Sequence, residues 1–85
     1  MLNNIRISVL AAALLACSLL SAESAQIENA NSLYSAKNYA GAAELYQSLA
    51  DQGWESDKLY YNLANSYYKL SKIGPAILYY EKALK

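Results

Sequence analysis

The chain contains no histidine, no phenylalanine, one cysteine, one proline and three glycines among its 85 residues. Each scarcity removes a class of chemistry. With no histidine and only Cys17, neither a Cys/His metal cluster nor an internal disulfide can be built. The scattered glycines form no phosphate-cradling loop. Seven basic side chains balance seven acidic ones, so no basic stripe is present to neutralise a nucleic-acid backbone. No pair of carboxylates is set into an apolar stretch, and Glu28, Glu44, Asp51 and Asp57 read as solvated helix charges. An enzyme is therefore not expected, and neither is a cofactor, a metal ion or a nucleic-acid partner.

What the chain has instead is tyrosine and repetition. Nine tyrosines supply large rings with polar tips, which suit half-buried helix faces and binding surfaces. Six of them lie between Tyr60 and Tyr80. Ala30-Asn31-Ser32 followed by Tyr34 returns 34 residues later as Ala64-Asn65-Ser66 followed by Tyr68. Ala42 and Tyr46 return at the same offset as Ala76 and Tyr80. A period of this length marks a helix–turn–helix repeat array. Arrays of that kind bind other proteins far more often than they catalyse.

Residues 1–22 read as an export signal. Arg6 is the only charge before Glu23, and an apolar run follows it from Ile7 to Leu20, broken by Ser8, Cys17 and Ser18. Small residues at Ser21, Ala22, Ser24 and Ala25 complete the three-part pattern. A retained membrane helix would need roughly 20 apolar residues, more than this run supplies. Leu14-Leu15-Ala16-Cys17 resembles the lipobox of bacterial lipoproteins, which makes Cys17 a candidate for lipidation. Cleavage after Ala22 or Ser24 is the alternative. Either route delivers the mature chain to the periplasm or cell envelope, with or without a lipid anchor.

The apolar spacing beyond the signal predicts four helices. Tyr60, Leu63, Ala64 and Tyr67 stand at i, i+3, i+4 and i+7 and share one face. Ser56 is placed to cap their helix, and Gly53 to end the one before. The last helix starts near Ile73-Gly74-Pro75, where proline is tolerated, and carries Ala76, Ile77, Tyr80, Ala83 and Leu84 as its stripe. Ala30, Leu33 and Tyr34 mark the first helix, and Ala42, Leu45, Tyr46 and Leu49 the second. Lys37-Asn38 and Ser71-Lys72 are the turns within each pair.

Tyr61-Asn62-Leu63-Ala64-Asn65-Ser66-Tyr67-Tyr68-Lys69, followed by Ala76-Ile77, Tyr80 and Ala83, resembles the tetratricopeptide repeat nearly position for position. The resemblance covers about residues 25–85. It implies an all-α fold of two such repeats, four antiparallel helices in a right-handed solenoid, after the signal peptide. The first repeat takes residues 23–54 and departs from the pattern at Gln26, Asn29 and Leu49; the second takes 55–85. Polar residues suit an end repeat, which has no neighbour on one side. The resemblance further implies a concave groove lined by Ile27, Asn31, Tyr34 and Ser35, then by Lys58, Tyr61, Asn62, Asn65, Tyr68 and Lys69. Asn31, Tyr34, Tyr61, Asn62, Asn65, Tyr68 and Lys69 are the candidate partner-binding residues. Asparagine both donates to and accepts from a peptide backbone, and tyrosine adds ring contact. Ile27 stands where a terminal-carboxylate clamp would need lysine, so that clamp is not expected. Trp54 is expected to cap the edge of the core.

A narrower likeness runs from Ser71-Lys72-Ile73-Gly74 through Ala76-Ile77-Leu78-Tyr79-Tyr80-Glu81-Lys82-Ala83-Leu84, which is similar to the repeat region of the bacterial Bat aerotolerance proteins. Those are exported and membrane-associated, and their repeats are followed by further segments, which makes this chain an expected N-terminal fragment. Two roles remain open on the sequence. One is an envelope module that holds a partner protein or peptide in a groove. The other is a structural, self-assembling piece of a membrane-associated complex, with Ala76, Ile77, Tyr80 and Leu84 seeking another surface.

Overall fold

The computed structural model describes residues 25–85, and these are all-helical, with no strand among them. Helix α1 occupies 25–35, α2 Tyr39–Asp51, α3 Asp57–Lys69 and α4 Ile73–Ala83. The expected signal and Cys17 lie outside the described residues. No helix of the described residues is long and apolar enough to cross a membrane.

The 34-residue recurrence extends to the backbone. Lys37 and Ser71, one offset apart, both hold positive φ, at 63° and 61°. Lys37 donates its N–H to the Tyr34 carbonyl at 3.0 Å and Asn38 to that of Leu33 at 2.8 Å. Ser71 and Lys72 repeat the pattern onto Tyr68 and Tyr67 at 2.9 and 2.8 Å. This pair of bonds satisfies the last carbonyls of a helix and needs one left-handed residue just past its end. Gly53, with φ 99°, does the same for α2, where Trp54 N–H reaches the Leu49 carbonyl at 3.1 Å. At the other helix ends, the Asn38 side chain accepts the Gly41 N–H at 3.0 Å, and Ser56 Oγ accepts that of Leu59 at 3.3 Å. Asp57 in the first turn of α3 and Lys69 in its last both suit the helix dipole.

Helix α3 lies between α2 and α4 and packs against both. Alanines come first where helices approach. Ala30, Ala42, Ala64 and Ala76 are all sealed from solvent. Tyr46, Leu49, Leu59 and Leu63 fill the space between. Each buried Leu side chain of this kind contributes about 1.5–3 kcal/mol. Trp54 and Ile27 pack against the core, so Trp54 sits at the edge as expected while Ile27 serves the interior more than a groove. Ser66 is also sealed, and its hydroxyl donates to the Asn62 carbonyl at 2.8 Å, which leaves no buried donor unmet there.

The expected stripe on α4 needs correction. Ala76 is buried and Tyr80 half-buried, but Ile77 is 53% and Leu84 88% exposed. Tyr79 takes the interior place instead, stacked on Tyr67 with ring centroids 6.1 Å apart. The helix meets only α3, so the three-residue step from Ala76 to Tyr79 faces the contact while Ile77 turns past it. Leu59, which the sequence reading did not single out, is buried at the start of α3.

Two glycines separate backbone conformation from packing. A Cβ on either Gly53 or Gly74 would meet nothing within 4 Å, but only Gly53 has positive φ. Gly53→Ala should therefore cost about 1 kcal/mol, and Gly74→Ala should gain about 0.5–1 kcal/mol. Urea denaturation of the two variants beside the parent chain checks both signs.

Candidate partner-binding face

Lys58, Asn62, Asn65 and Lys69 follow one another at steps of four, three and four, which lines them up along α3. Tyr61 and Tyr68, seven residues apart, stand beside that line and are 55% and 58% exposed. Tyr60 and Tyr67 point the other way, toward Tyr79. One helix thus carries two tyrosine pairs with different tasks: the inward pair packs, the outward pair is presented.

The asparagines are held by tyrosines from the following helices. Tyr46 on α2 donates its hydroxyl to Asn31 Oδ1 on α1, and Tyr80 on α4 repeats this bond to Asn65 Oδ1 on α3. Both partners of the second bond are displaced by 34 residues from those of the first. The Tyr46 oxygen also accepts from Asn62 Nδ2 at 3.4 Å, so a single hydroxyl joins α1, α2 and α3. The Tyr61 ring meets the Tyr80 ring edge-on at 5.9 Å, and Tyr34 meets Tyr39 likewise at 5.6 Å.

The expected site residues thus divide by task. Asn31, Asn62 and Asn65 each give one end of their amide to the fold, a commitment that spacing alone does not reveal. Tyr34 is half-buried against the core. Tyr61 and Tyr68 are the large exposed surfaces, with Lys58 and Lys69 exposed at either end of α3.

The opposite flank holds a network that the sequence did not announce. Tyr67 donates to Gln47 Oε1 at 2.7 Å, while Gln47 Nε2 donates to the Tyr79 hydroxyl at 2.7 Å and to Asp51 Oδ1 at 2.9 Å. Lys82 stands 5.2 Å above the Tyr79 ring. A lone glutamine on a helix reads as surface, so no pattern pointed to it. Among the described residues, no group of acidic, histidine or cysteine side chains could hold a metal ion. No family model and no curated protein matches the chain.

Burial raises the hydroxyl pKa of Tyr46, Tyr67 and Tyr80 above the ordinary tyrosine value. Neighbouring hydroxyls add to this: Tyr34 at Tyr46, Tyr79 at Tyr67, and Tyr61, Tyr34 and Tyr68 at Tyr80, while the Asn62 bond opposes it at Tyr46. The folded chain therefore holds three phenols protonated that the unfolded chain would ionise near pH 10.0. Their contribution is fully present below that pH and is lost as pH rises through the raised values. Phenolate absorbance and helical circular dichroism, followed together, should show the exposed tyrosines ionising first. The last phenols should ionise as the helices melt.

Proposed function

We propose that the chain is a pair of tetratricopeptide repeats that holds a partner protein or peptide on the face formed by α1 and α3, in the bacterial cell envelope. The observation that carries this is the outward pair, Tyr61 and Tyr68. Both are more than half exposed on an ordered helix, beside asparagines anchored from behind. Exposed tyrosines on a rigid support are favourable binding surface, because little rotamer freedom is lost on contact. The recurrence of the turn residues and of the tyrosine–asparagine bonds at 34 residues supports the repeat reading. The export pattern in residues 1–22 supports the location, and the likeness to Bat aerotolerance proteins directs the search toward membrane-associated complexes.

A second reading has its own observation. Ile73, Ile77 and Leu84 leave an apolar strip exposed on α4, which suits self-assembly or packing against another segment of a membrane-associated complex. Photo-crosslinking in cells from position 68 separates the two. The groove reading expects an adduct with a different protein that disappears when Asn65 and Lys69 are both changed to alanine. An adduct at twice the chain's mass supports self-assembly instead, and the absence of any adduct contradicts the groove.

A further inference from the structure

Building on the groove reading, we propose that the partner segment is an extended acidic peptide whose two carboxylates, about five residues apart, pair with Lys58 and Lys69. The charges of α2 and α3 are segregated. Glu44 and Asp51 line a hollow on the Tyr67 side together with Lys72. Glu55 and Asp57 line a second hollow on the Tyr60 side with Lys82 and Lys85. Both hollows lie on the flank of α3 away from the Lys58–Asn62–Asn65–Lys69 line. Glu81 is the 34-residue counterpart of Gln47 and so belongs to that flank as well. Glu28, on α1, is the one remaining carboxylate of the described residues. The line on α3 is therefore cationic at both ends, with no carboxylate within it.

The spacing sets the ligand length. Lys58 and Lys69 are eleven positions apart, about 16 Å along the helix axis. An extended chain advances about 3.3 Å per residue, so it covers that span in about five residues. Between the lysines, the two asparagines offer complementary groups. Asn65 accepts the Tyr80 hydroxyl through Oδ1, which leaves its N–H groups to donate. Asn62 uses Nδ2 toward Tyr46, which leaves its Oδ1 to accept. A donor and an acceptor side by side match the alternating carbonyl and N–H of an extended backbone. The rings of Tyr61 and Tyr68 flank the same line and would cover the peptide's side chains.

The test uses the purified full chain in detergent and labelled peptides with blocked ends. Each peptide carries two glutamates separated by an alanine–proline–tyrosine spacer of graded length, and binding is read by fluorescence anisotropy at low and high salt. Affinity should peak when the glutamates are about five residues apart and should fall with salt. Lys58→Gln and Lys69→Gln should each weaken the best peptide about fivefold and flatten its salt dependence, while Lys72→Gln leaves both unchanged. Affinity that ignores glutamate spacing, or survives both lysine changes, overturns the proposal. If Tyr68→Ala then still abolishes binding, the groove reading stands and only its acidic ligand falls. Peptides that bind Tyr68→Ala as well as the parent chain, or that bind neither, overturn both.

Discussion

The hydroxyl of Tyr46 sits where α1, α2 and α3 meet, and the arrangement of the presented face depends on it. Its ring is sealed in the interior, so the oxygen carried inward with it must find partners or incur a desolvation cost of about 1–3 kcal/mol. It finds two: Asn31 accepts from it and Asn62 donates to it. Phenylalanine at this place would fill the same volume but connect nothing. The total absence of phenylalanine from the chain is consistent with the structure at Tyr46, Tyr67, Tyr79 and Tyr80, where the phenol tip is bonded as the ring is packed.

These bonds separate two roles that one residue type performs. An asparagine with its carbonyl or amide fastened from behind presents its other end in a defined direction. Preorganisation of this kind lowers the cost of binding, since the side chain is already ordered before a ligand arrives. The interior tyrosines hold the asparagines, and the asparagines and exterior tyrosines form the surface. The Gln47 network fastens the far flank of α3 in a similar way, so the helix is fixed from both sides and its exposed face is left to contact other molecules.

Much of this architecture was legible in the residues. The 34-residue offset anticipated helices, turns and the pairing of buried alanines, and the left-handed Lys37 and Ser71 fall at matching places. Ser56 and Gly53 cap and end helices as their chemistry requires. Local pattern failed where phase depends on a distant contact. Tyr79 and Tyr80 are adjacent and identical, and only the position of α3 decides that Tyr79 goes inside. The candidate site was legible as a set of positions but not as a division of labour. Whether an amide beside a groove is already engaged depends on a hydroxyl 15 or 16 residues away.

The most direct test of the account is a double-mutant cycle between Tyr46 and Asn62, measured by urea denaturation. Tyr46→Phe and Asn62→Ala, singly and together, isolate the bond that joins the two repeats. The account predicts non-additive losses, with a coupling of about 0.5–1.5 kcal/mol. Losses that add to within about 0.3 kcal/mol would contradict it, because the hydroxyl would then fill space without tying the helices together.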